Sequence, residues 1–200
     1  MKNKISLLKY SVTVCIILML STAACDIKRS DHQKGLDEMD MGNLENAIEL
    51  FTSSIEKEKE LVSAYNHRGL SYLYLGDFDR SISDFSKALE LEEDAVIYYN
   101  RALAYKETGS TGNAFADLVM SGKLNETDME LLISTGDAMF ELGYFTEAEN
   151  IFTRAINVDP VSTDAYNGRG NARMELGDTE GAENDWNRAI EISTSTSNTE

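Results

Sequence analysis

Few side chains in this sequence have the type and spacing to do chemistry. The most regular are charged: Arg68 with Asp84, Arg101 with Asp117 and Arg169 with Asp185 recur sixteen residues apart. Two helices of a hairpin would bring each guanidinium to its carboxylate, and such a partly buried pair costs more to break on one side than it adds as a whole. Where the aspartate is missing the arginine is missing too, since Lys34 stands with Leu50 and Thr135 with Ile151. The pattern therefore reads as a structural tie between helices, not as catalysis. His32 and His67 sit in no HExxH or CxxC setting, and no serine occupies a G-x-S-x-G turn. The carboxylates build no D-x-D-x-D-G loop and read as solvated helix faces. No catalytic residue, metal site or cofactor is expected, so the chain is read as a non-enzyme.

Cys25 is the exception, because its surroundings suit covalent modification. Lys2, Lys4 and Lys9 precede an uncharged, mostly apolar run from Tyr10 to Leu20, too short to span a bilayer comfortably as a helix. That order is the order of an export signal. The stretch Ser21-Thr22-Ala23-Ala24-Cys25 resembles a bacterial lipobox, in which small residues precede a cysteine that takes fatty-acyl (palmitate-type) chains and becomes the new N-terminus. Thr22 departs from the leucine usual three residues before the cysteine. Ordinary secretion, leaving Cys25 a free thiol, is the alternative. Several acyl chains on one cysteine make a durable anchor where one alone holds loosely. Cys15 lies in the stretch that is removed, so no disulfide is available. Asp26 after the cysteine resembles an inner-membrane retention signal. The exported face of the cell membrane is therefore expected, on the periplasmic side in a Gram-negative cell and on the inner membrane in preference to the outer.

The charge balance excludes other partners. With 18 Lys and Arg against 35 Asp and Glu the net charge is −17, and removal of the leader's three lysines takes it to −20. Nucleic acid is an unsuitable partner, because affinity there comes from cations that neutralise phosphates. Anionic headgroups are disfavoured as well, which leaves the covalent anchor to hold the membrane.

The elements that position these residues follow from a glycine period. Gly42, Gly76, Gly109, Gly143 and Gly177 recur at intervals of 33 or 34 residues, each between two helical patterns, as a tight turn with positive φ requires. With each glycine counted as position fifteen, position eight is small in every unit: Gly35, Gly69, Ala102, Gly136 and Gly170. Position twenty is small again (Ala47, Ser81, Ala114, Ala148, Ala182), and position twenty-four is large (Phe51, Phe85, Leu118, Phe152, Trp186). Small residues there let two helices approach around one large plug.

These positions resemble the tetratricopeptide repeat, and the resemblance runs through nearly all of the chain after the leader. It implies an all-α fold, a right-handed superhelical solenoid of about five helical hairpins. The resulting domains are 1–24, signal peptide; 25–30, lipidated cysteine and short linker; 31–194, repeat domain; and 195–200, disordered tail. The repeats are expected at about 28–61, 62–94, 95–128, 129–162 and 163–194. Pro160 alone fills the proline position common in the family. Asp31 and Glu38 stand where the family prefers aromatics, so the first helix is expected to fray or to pack irregularly. Gly122 interrupts the third unit at a cost of about 1 kcal/mol against alanine if it is exposed. The Ser- and Thr-rich end from Ser193 leaves no room for an extra capping helix, which makes Trp186 and Ile190 a candidate edge for self-association.

By family resemblance the first helices line a concave surface that holds protein segments, which implies a membrane-anchored scaffold or adaptor for protein partners of the cell envelope. A periplasmic chaperone-type holder, a self-assembling structural component and a small-ligand sensor are the alternatives. The family's ligand-facing positions select Asn66, Leu70, Tyr74, Tyr99, Leu103, Lys106, Ile133, Asp137, Asn167 and Asn171 as the partner-binding groove. The fifth positions, His32, Asn66, Tyr99, Ile133 and Asn167, include no lysine. The carboxylate clamp of chaperone-binding members is therefore missing, and a free acidic C-terminus is a poor ligand.

Overall fold

The computed structural model describes residues 29–197, and the leader with Cys25 lies outside them. The described residues form ten helices and no strand: α1 (Asp31–Asp40), α2 (Leu44–Glu56), α3 (Leu61–Tyr74), α4 (Phe78–Leu91), α5 (Ala95–Glu107), α6 (Thr111–Leu124), α7 (Met129–Glu141), α8 (Phe145–Val158), α9 (Thr163–Glu175) and α10 (Thr179–Ser197). Each odd helix packs on the even helix after it and touches the next odd helix, so five hairpins stack into an all-α repeat.

The five period glycines close the odd helices. Their φ values lie between 73° and 85°, and a Cβ at any of them would meet nothing within 4 Å. Backbone conformation, not space, selects glycine there. In each turn the glycine N–H reaches back to the carbonyl three residues earlier and the following N–H to the carbonyl five earlier, as with Gly76 to Leu73 and Asp77 to Tyr72. These are Schellman turns that satisfy otherwise orphaned carbonyls.

Position eight works by the opposite rule. A Cβ added at Gly35, Gly69 or Gly136 would stand 2.6, 2.9 or 2.7 Å from the ring of Phe51, Phe85 or Phe152. In the third hairpin the plug is the smaller Leu118, and position eight is Ala102, which restores the missing volume. Two plugs are also covered from the next hairpin: the His67 ring stacks on Phe51 with centroids 5.7 Å apart, and a Cβ at Gly168 would lie 2.4 Å from Phe152.

Three sequence expectations need correction. First, α1 does not fray: Ser30 caps it by accepting from the Gln33 N–H, and the polar residues in the aromatic positions bind α2. Asp31 accepts from Ser53 Oγ at 2.9 Å and pairs with Lys57, while Glu38 accepts from Asn43 and Asn46. Second, Gly122 is buried, and its bare backbone admits α8; a Cβ would fall 2.7 Å from Ile151 Cδ1. Arg154 donates to the carbonyls of Gly122 and Asn125 and so closes the end of α6. Third, the helix of the last hairpin continues to Ser197, through part of the tail expected to be disordered. Ile192 is buried and gives that extension an apolar foothold.

Candidate functional site

The arginine–aspartate pairs form as the spacing requires, and each is bidentate. Arg68 Nε and Nη2 donate to Asp84 at 2.7 and 2.8 Å, Arg101 to Asp117 at 2.7 and 2.8 Å, and Arg169 to Asp185 at 2.8 and 2.6 Å. Each arginine also donates from Nη1 to a hydroxyl of the preceding hairpin: Thr52, Ser86 or Thr153. One guanidinium thus fastens three helices, a role the spacing of the pairs alone did not disclose. At the one internal joint without the arginine, Thr135 follows Val119, and the hydroxyl is gone with it.

The two histidines meet, although their sequence positions gave no sign of it. His32 Nε2 lies 3.1 Å from His67 Nδ1, which is 2.7 Å from the Ser63 carbonyl, and His32 Nδ1 lies 2.6 Å from Glu60. The carbonyl can only accept, so His67 Nδ1 carries a proton and donates it to Ser63, with His32 Nε2 beside the same nitrogen. Burial pushes the His67 pKa down, a shift opposed by the bond to Ser63 and reinforced by His32. Among the described residues no group of three His, Cys, Asp or Glu side chains is arranged to hold a metal ion.

The ten groove candidates all lie on odd helices, α3, α5, α7 and α9. Tyr74 is 66% exposed, and Asn167 is also open to solvent. Leu70, Tyr99, Leu103 and Ile133 are half-buried; Leu70, Tyr99 and Ile133 pack against the core from the groove side. Burial raises the Tyr99 phenol above its ordinary pKa, and its neighbours include Ser134, Lys106, Asp137 and Glu141. Three candidates are engaged within the fold. Lys106 Nζ lies 2.7 Å from Glu141, Asn66 accepts from Asn100 at 3.2 Å, and Asn171 accepts from Trp186 Nε1 at 3.2 Å.

The carboxylates of this face include Asp137, Glu141 and Asp164, of which Glu141 is the one paired with Lys106. The Asp137 pKa is raised, first by partial burial and then by Glu141 on its own helix and Asp164 on α9. Between α5 and α7 opens a cavity of about 270 Å³ lined by Val96, Tyr99, Asn100, Asp128, Glu130, Leu131 and Ser134.

Two family models described as Tetratricopeptide repeat match residues 62–94 and 134–198, regions that hold three of the five turns, three of the five plugs and two of the three ion pairs above. The chain is a tetratricopeptide-repeat protein. No curated protein matches it by sequence. Among solved structures, MamA is similar at 20% identity over 83% of this chain and 91% of that one, with a TM-score of 0.70. YrrB, described as a TPR protein with an unusual peptide-binding site, is similar at 22% identity over 86% and 91%, with a TM-score of 0.65. At these identities the likeness carries the repeat fold alone. Within this tetratricopeptide-repeat chain, no helix among the described residues is long and apolar enough to cross a membrane.

Proposed function

We propose that this chain is a non-enzymatic protein-interaction scaffold of a bacterial cell envelope, held at a membrane through acyl chains on Cys25, which takes a protein segment along its odd-helix face. The observation that carries the reading is the half-exposed row Leu70, Tyr74, Tyr99, Leu103 and Ile133, spread over three successive odd helices. In stacked hairpins that face is concave, and an extended or helical segment can contact several units at once. The fold supports protein partners in general, and the peptide-binding site named for YrrB is consistent with this use of the groove. The lipobox-like Ser21–Cys25 supports the anchor. With α1 beginning at Asp31, a linker of about five residues would reach less than roughly 18 Å and keep the stack close to the bilayer.

The test joins both parts. Cys25→Ala moves the protein from the membrane to the soluble fraction, and Tyr74→Ala with Tyr99→Ala removes the co-purifying partner while helical content and membrane attachment persist. A wild-type protein already soluble refutes the anchor, and a double variant that keeps its partner refutes the groove. A self-assembling component is the second reading, favoured by Ile190: it is 59% exposed, whereas Ile156, one repeat earlier at the same position, is buried under the next hairpin. Concentration-dependent mass in light scattering, lost in Ile190→Glu, would establish that reading instead.

A further inference from the structure

On the premise that the odd-helix face holds a protein segment, we infer that the segment is basic and seats an arginine or lysine side chain in the cavity between α5 and α7. The cavity's lining is mixed. Val96, Tyr99 and Leu131 offer apolar surface, Asn100 and Ser134 offer hydrogen-bonding groups, and Asp128 and Glu130 supply carboxylates. A long cationic side chain matches that mixture, because its methylene stem prefers apolar contact and its head prefers charge and water.

Among the described residues no cation lines the cavity. The Glu130 side chain makes no hydrogen bond or ion pair among them, and Asp128 uses one carboxylate oxygen to cap α7 through the Leu131 N–H. Two turns further along α7 stands Asp137, about 10 Å away along the helix axis, held near Glu141 and Asp164. Lys106 is the one cation acting on this part of the face among the described residues, and it already pairs with Glu141. The uncompensated charge of Asp137 and Glu130 lies directly beside the apolar row of the groove. An acidic or neutral segment would leave these carboxylates partly desolvated and unpaired, whereas a basic one relieves both. The net charge of −17 adds long-range attraction of the same sign.

The probe is a fluorescein-labelled peptide of repeating Leu-Pro-Arg units. Polyproline geometry returns the same face every third residue, at about 9 Å, close to the separation of the two acidic sites. Matched peptides carry citrulline or glutamate in place of arginine, and binding to the full chain is read by anisotropy. The arginine peptide should bind about tenfold more tightly than the citrulline one, and the advantage should shrink as salt is raised. In Glu130→Gln with Asp137→Asn most of that advantage should be lost, leaving the smaller, salt-sensitive part that Asp128 and the overall charge supply, with circular dichroism unchanged. Equal binding of arginine and glutamate peptides overturns the inference, as does an arginine advantage that is undiminished in the double carboxylate variant. In either case, binding that still depends on Tyr74 and Tyr99 leaves the groove reading standing. If no peptide binds in a Tyr74- and Tyr99-dependent way, the groove reading fails first and the inference falls with it.

Discussion

Gly136→Ala tests the plug-and-socket packing most sharply, because glycines of two helices crowd the Phe152 ring. The new Cβ would lie 2.7, 2.8 and 3.1 Å from three ring atoms of Phe152. From the next hairpin a Cβ at Gly168 would lie 2.4 Å from the same ring, so α9 lies hard against it as well. Phe152 is almost fully buried, and Ala148 and Ala155 on its own helix are completely so. Alanine gains about 1 kcal/mol of helix propensity over glycine. Overpacking an already filled site costs about 1 to 3 kcal/mol, and close contact with the ring from two neighbouring helices places this case toward the upper end. The expected net loss is therefore about 1 to 2 kcal/mol, read by urea unfolding followed at 222 nm. Gly69→Ala should be milder, since its nearest approach is 2.9 Å to the Phe85 ring and no glycine backs that ring from the next hairpin. The rescue is already written in the third hairpin, where Ala102 faces Leu118. Gly136→Ala with Phe152→Leu should be more stable than the two single changes predict by about 1 kcal/mol or more. Additive losses, or a Gly136→Ala protein more stable than wild type, would refute the packing argument.

The remaining predictions concern the ties between hairpins. Arg68→Ala strands Asp84, whose side chain is 7% exposed, and should cost about 3 to 5 kcal/mol, while a double-mutant cycle with Asp84→Ala should give a coupling well above error in thermal unfolding. Thr52→Val, which leaves the pair but removes the hydroxyl on the preceding hairpin, should cost about 1 kcal/mol, and no change in melting temperature would remove the three-helix role. The depressed His67 pKa makes stability depend on acid. The unfolded chain protonates near pH 6.5 and the folded chain only below it, so stability is complete above that value and falls as the pH drops through the window beneath it. His67→Asn, which places there the residue found at Asn100 in the next hairpin, should lose less stability than wild type between pH 7 and 5.5. A wild-type melting temperature that falls no faster than the variant's would contradict this.

Much of the architecture is written in local spacing. A glycine that must take positive φ, a small residue facing a plug and a charge sixteen residues from its partner all lie within one hairpin, where the repeat fixes the distance. What escaped the sequence lies between hairpins. The hydroxyls of Thr52, Ser86 and Thr153 are a regular partner of the arginines, yet Ser and Thr are too common in this chain to stand out. His32 and His67 meet only because successive odd helices lie side by side. Gly122 reads as a defect until α8 is seen to close on it. Groove residues show the same limit: their helix was legible, but the engagement of Lys106 by Glu141 and of Asn171 by Trp186 depends on neighbours the pattern does not name.

The central claim, that the odd-helix face holds a protein segment, is tested most directly by photo-crosslinking from that face in native membranes. A benzophenone amino acid at Leu103, beside Tyr99 and the acidic cavity, should give a discrete adduct with one or two proteins. The same group at Val119, on the even helix α6, should give none. Adducts that form from Val119 or from Ile190 but not from Leu103 would contradict the account and move the working surface to the even helices or to the terminal edge.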